Sequence, residues 1–368
     1  MTSRRIRLWL AAGLFVATAP LLAIGALTAW DSRGADKLVP ECRGPRATDF
    51  SCLDRRYRAL VRAAGVQAAL ADLRRQSQRS QAVRVTCHQL AHTIGRAAAE
   101  RSPDPAAPFA QGDSSCEAGY YHGVVQAVAA KLGAQAFLDG LESTCASVRS
   151  GAARRLYVEC VHGLGHGVMS VLGNRLYAAL PACDRLPVRQ DQHRCQSGVF
   201  MENIASDHGL THSGTRYQSE DRPLYPCTDV ATRYKWECYP QQATYAVRRL
   251  GDDYPSVFAL CAGVKAPNDR RCYQGLGAAA ADESTTDSLM LAGQIAEVAQ
   301  LCRLGADREA VSNCIVGGVR GFSFYVGAAS ADRFCHFLEP ALEHGCLREG
   351  KRYRRKLRLR PAAVEGAP

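Results

Sequence analysis

The spacing of the cysteines constrains this chain more than any other feature. After residue 140 they come in couples: Cys145 with Cys160, Cys183 with Cys195, Cys227 with Cys238, Cys261 with Cys272, Cys302 with Cys314, and Cys335 with Cys346. Five couples enclose 10 or 11 residues and the first encloses 14. The first cysteine of a couple ends an apolar stretch of helical pattern, as in AFLDGLESTC, LYAALPAC, YPSVFALC and IAEVAQLC. The second opens another, as in CVHGLGHGVM, CQSGVFMENI, CYQGLGAAAA and CIVGGVRGFS. Between them stand Pro, Gly, Asp, Arg and Gln, the residues of exposed loops. The unit reads helix A, cysteine, polar loop, cysteine, helix B.

Second cysteines recur at 116, 160, 195, 238, 272, 314 and 346, with long and short intervals alternating. Such a period marks a repeat array, in which each hairpin buries its apolar stripe only against its neighbours. The expected fold is all-α: disulfide-stapled α-hairpin repeats forming a curved solenoid or a closed α/α ring, preceded by one N-terminal transmembrane helix. Pairing within couples closes loops of about 12 residues, each stabilising by roughly 3 kcal/mol in the chain-entropy account. Cys42 with Cys52 and Cys87 with Cys116 would complete the set, but spacing leaves those four open. No CxxC occurs, which argues against zinc ribbons, thioredoxin-like centres and CxxCH haem attachment.

Sixteen cysteines used as staples imply an oxidising compartment. The N-terminus agrees. Arg4, Arg5 and Arg7 precede an uncharged run, Leu8 to Trp30, long enough to span a hydrocarbon core of about 30 Å. The arginines hold that end in the cytoplasm, so the rest faces the periplasm or the outside. The run fits an uncleaved anchor better than a signal peptide cut after Leu27-Thr28-Ala29; either one exports the domain. The net charge of +11 is concentrated at the two ends, leaving a nearly neutral body, so nucleic acid is not an expected partner. The expected division is 1–30 anchor, 31–52 linker with a short disulfide loop, 53–346 repeat domain, and 347–368 basic disordered tail.

Aligned on its cysteine, helix B carries glycine three residues on, at Gly119, Gly163, Gly198, Gly275 and Gly317, which suits close helix approach. Six residues on stand His122, His166, Met201, Thr244, Ala278 and Arg320. His122 and His166 are thus equivalent positions, and His162 lies one turn before His166 on the same face. CHQLAHTIGR places His88 and His92 at the same spacing. Random placement of ten histidines gives about 0.3 pairs at i, i+4; there are three, 88/92, 162/166 and 208/212. Imidazoles one helix turn apart can share a metal. The expected ligands are His88, His92, His122, His162 and His166, for a transition-metal ion (Cu, Fe or Zn). Glu202 is a candidate carboxylate ligand or general base, offsetting the positive helix N-termini. Tyr121 is a candidate redox-active phenol, against the plainer reading of Tyr120 and Tyr121 as core. His193, His336 and His344 read as ordinary polar residues, and His208 and His212 as part of a loop. Arg320 reads as an anion site or a surface cation.

There is no HExxH, GxSxG or P-loop, and no GxGxxG after a strand. The expectation is a membrane-anchored, periplasm-facing metal-binding protein with a histidine cluster, with metal-dependent oxidoreductase chemistry favoured over hydrolysis and catalysis itself left open. The alternative is a disulfide-stabilised scaffold binding a protein partner on its concave face. The inner membrane, through residues 8–30, is the other expected partner.

Overall fold

The computed structural model describes residues 38–40, 42, 44–104, 106–113, 115–149, 154–205, 217–281 and 288–357. All regular structure among them is helical. The first hairpin is α1 (Phe50–Ala64) and α2 (Val66–Arg79), broken at Gly65, where φ is +86°. A short α3 (Gln81–Val85) leads to α4 (Cys87–Arg101). Then come α5 (Gly119–Leu132), the short α6 (Ala134–Asp139), α7 (Leu141–Thr144) and α8 (Ala146–Arg149), and α9 (Arg154–Val171). The remainder is α10 (Leu176–Cys183), α11 (Arg189–Ala205), α12 (Thr232–Arg249), α13 (Tyr254–Ala262), α14 (Asn268–Ala280), α15 (Ser288–Cys302), α16 (Arg308–Gly321), α17 (Ala328–His336) and α18 (Pro340–Leu357).

All eight cysteine pairs are bonded, including Cys42–Cys52 and Cys87–Cys116. Three boundaries differ from expectation. The second cysteine does not open helix B in the later repeats: α9 starts at Arg154, before Cys160, and α11 starts at Arg189, before Cys195. Before Cys195 the residues Arg189 to Arg194 are all polar, which made them resemble loop, whereas Leu156, Tyr157 and Val158 before Cys160 already carry an apolar helical run. The couple at Cys227 and Cys238 has no helix A among the described residues. Finally, α18 runs to Leu357, so 347–357 belong to the helical domain and not to a disordered tail. The expected span over residues 8–30 lies outside the described residues, as do His208 and His212. No described helix is long and apolar enough to cross a membrane.

The B helices α4, α5, α9, α11, α12, α14, α16 and α18 form one continuous row, each packed on the next. The row curls back until α18 touches α9. There the Arg155 guanidinium donates to Phe324 O at 2.5 Å and lies over its ring at 4.7 Å. Paired glycines set the spacing. A Cβ on Gly165 would lie 2.1 Å from Cys195 O, and one on Gly198 would lie 2.0 Å from His162 O. Gly277 and Gly317 make the same reciprocal pair between α14 and α16. Helices A pack on the outside, with Phe137 against Gly167 and Phe334 against Gly318.

A methyl group at these contacts must push two backbones apart. Gly198→Ala is expected to destabilise by about 1–3 kcal/mol or more in urea unfolding. Gly345→Ala, where nothing lies within 4 Å, is expected to be neutral or stabilising.

Candidate metal centre

Four B helices, α4, α5, α9 and α11, meet at one seam, and their histidines fill it. The ring centres of His88 and His92 are 4.6 Å apart, those of His92 and His166 5.1 Å, and those of His122 and His162 4.8 Å. His122 stacks on His166 at 4.2 Å. His92, His122 and His166 are buried; His88 and His162 are half-buried. Ligand atoms of His88, His122 and His166 all lie within 4.8 Å of one another, and so do those of His92, His166 and Glu202. Either group could hold a metal ion. His162 belongs to neither, and its Nε2 lies 3.2 Å from Met201 Sδ.

Hydrogen bonds fix the tautomers. His88 Nδ1 is 3.0 Å from the carbonyl of Cys116, which only accepts. His92 Nδ1 is 3.1 Å from Gln126 Oε1, whose identity as oxygen follows from the Arg96 donor at 3.0 Å. His166 Nδ1 is 2.6 Å from Glu202 Oε2. With neutral rings, Nδ1 of His88 and of His92 carries the hydrogen and their Nε2 atoms present lone pairs; His166 follows them when Glu202 is ionised. Yet His88 Nε2 and His92 Nε2 stand 2.9 Å apart. Two facing lone pairs repel unless a proton or a metal ion lies between them. Pinning the far nitrogen of a ligand histidine to an oxygen is a general feature of metal sites.

The seam also leaves polar atoms stranded. Both nitrogens of His122, Nε2 of His166 and Oε1 of Glu159 are buried without hydrogen-bond partners. Each such atom costs about 1–3 kcal/mol. Burial, reinforced by the neighbouring imidazoles, holds His92 and His122 well below the usual imidazole range; burial and His88 do the same for His166. Protonation of His92 is thereby opposed. Burial pushes Glu202 up to about 7 and Glu159 up to about 8, against the pull of Arg96 on the first and Arg155 on the second. Two buried carboxyls among neutral imidazoles are the charge complement of a divalent cation.

Backbone strain accompanies the site. Cys116, Glu117 and Ala118 have φ of 52°, 54° and 59°, the left-handed region, which costs about 1–2 kcal/mol per non-glycine residue. This run carries the carbonyl that orients His88. A cavity of about 540 Å³ reaches His88 and Met201 from one side and is walled by residues of α2, α4, α11, α12 and α14.

Tyr121 stacks near Phe109 and edge-on to Tyr120, and burial with the nearby charge of Glu159 raises its phenol. The remaining histidines and Arg320 lie elsewhere. His193 sits on α11, not in a loop, 3.2 Å from Glu237. His336 and His344 pair with Glu343 and Arg348 at the surface. Arg320 is neutralised by Glu349 at 2.7 Å. Sequence reading missed Glu159 and Gln126. Both had a signal: Glu159 lies at i−3 from His162 and i−7 from His166, and Gln126 at i+4 from His122, which are same-face spacings. Comparison of the chain with family models, with curated proteins and with solved structures finds no match.

The buried groups pull stability in opposite directions. A depressed imidazole contributes stability that is complete above about pH 6.5 and is lost as the pH falls below it. A raised carboxyl contributes stability that is complete below its ordinary value and is lost as the pH rises, toward about 8 for Glu159. In urea unfolding of the metal-free protein at several pH values, Glu159→Gln is expected to flatten the alkaline loss and leave the acid loss in place. An unchanged alkaline limb would mean that Glu159 is ionised in the folded protein.

Proposed function

We propose that this chain is an exported metalloprotein, tethered to the inner membrane through residues 8–30, whose histidine cluster binds a transition-metal ion (Cu, Fe or Zn) and supports oxidoreductase chemistry. One observation carries the metal: the Nε2 atoms of His88 and His92 face each other at 2.9 Å while their Nδ1 atoms are committed to Cys116 O and Gln126 Oε1. At metal–nitrogen distances of about 2.0–2.1 Å, that separation matches two ligands on one ion about 90° apart. His122 and His166 supply the next donors, and Glu202 either orients His166 or joins the metal directly.

Access and donor set support a reactive role. The cavity at His88 gives a small molecule a route to the cluster. His92, His166 and Glu202 form a set of two histidines and one carboxylate, a combination suited to redox metals with open positions. A bound metal would supply Lewis acidity or electron transfer. The chain's own residues hold the imidazoles neutral, fix their orientation and exclude bulk water from the His122–His166 side. Residues 31 onward then face the periplasm, where the eight disulfides persist.

The test is elemental analysis of the full chain after reconstitution with Cu, Fe and Zn. Stoichiometric metal is expected in the wild type, and none in a folded His122→Ala/His166→Ala variant. Metal-free wild type after all three reconstitutions would sink the reading and favour the protein-binding scaffold. Glu202→Gln is expected to weaken metal binding about 10- to 100-fold, the usual effect of losing a group that orients a ligand.

A further inference from the structure

Three consecutive B helices carry His122, His166 and Met201 at one shared position, six residues after the cysteine. The first two belong to the cluster's metal-binding group. The third ends in a thioether, and its sulfur lies 3.2 Å from His162 Nε2. Met201 is only 8% exposed, yet it lines the cavity beside His88. The sulfur faces an imidazole nitrogen, a contact that a thioether makes either as a weak acceptor or as a fellow metal ligand. Next to that pair lies His122, 4.8 Å from His162 between ring centres, fully buried with neither nitrogen partnered. Nitrogen donors of His122 and His162 and one soft sulfur donor therefore meet beside the cavity that Met201 lines.

Donor softness discriminates among metals. Thioether sulfur favours Cu(I), whereas imidazole alone accepts Zn, Cu, Fe or Ni.

We propose that the cavity side of the cluster binds monovalent copper, with Met201 Sδ and His162 Nε2 as ligands beside His122. This deepens the metalloprotein reading and rests on it. His162, which lies outside the other two ligand groups, then has a role of its own. Met201 becomes the residue that selects the metal.

The experiment is a pair of competition titrations on the full chain in detergent, wild type against Met201→Leu. Cu(I) is titrated against bicinchoninate under anaerobic conditions, and Zn(II) against a fluorescent chelator. Met201→Leu is expected to weaken Cu(I) binding at least about tenfold, or about 1.4 kcal/mol. Its Zn(II) binding is expected to stay at the wild-type value, which also reports that the variant is folded. Copper X-ray absorption of the Cu(I)-loaded wild type is expected to show a sulfur shell, an observation that needs no variant. Unchanged Cu(I) affinity in Met201→Leu, or a copper shell of nitrogen alone, would overturn the proposal and leave Met201 as a hydrogen-bond acceptor for His162. A wild-type protein that takes neither metal would overturn the metalloprotein reading itself, and this inference with it.

Discussion

Backbone-to-backbone contact between the B helices at glycine is the constraint on which the rest depends. The contacts abut the main chain of the very residues that form the cluster. A Cβ on Gly123 would lie 2.0 Å from His92 O, one on Gly119 would lie 2.5 Å from His88 O, and one on Gly198 would lie 2.0 Å from His162 O. Helices with ordinary side chains at their contact stand 8–10 Å apart. Closer approach brings imidazoles from different helices to ring-centre distances of 4.2–6.1 Å. In CVHGLGHGVM the glycines and the histidines are therefore parts of one device. The glycines draw the helices together, and the histidines occupy the side of the seam that this closeness creates.

The disulfides serve the same end by another route. Each closes a hairpin on itself and reduces the freedom of the unfolded chain. An array of short hairpins with small residues at its contacts has little side-chain volume to bury at the seams. Covalent staples offset that loss. The Cys87–Cys116 bond has a second consequence, because it joins the residue before His88 to the residue whose carbonyl orients His88. The left-handed run from Cys116 to Ala118 is held by this tie and by the helix that follows it.

Burial opposes the charged forms of His92, His122, His162, His166, Glu159 and Glu202, so these imidazoles are held low and these carboxyls rise. Stranded atoms on His122, His166 and Glu159 mark where the protein supplies donors without supplying a partner. The histidine and glutamate groups that could hold a metal ion are where a cation would take those lone pairs and favour ionised carboxyls.

The all-helical repeat and the cysteine couples were legible in the sequence, because both are local: a loop of 10 or 11 residues and a periodic apolar stripe lie within one hairpin. The five clustered histidines were legible for the same reason, as i, i+4 pairs and as a shared repeat position. The start of α11 was not, since the polar residues before Cys195 serve equally as loop or as the exposed side of a helix. Only the tertiary structure decided which donors belong together. Glu159 and Gln126 were each visible on a helix face, but their approach to His122 and His92 depends on how α4, α5, α9 and α11 cross. The same crossing set Tyr121 against Phe109 and turned His162 toward Met201. Sequence determines what a helix face offers; the packing angle and the glycine contacts determine which faces meet.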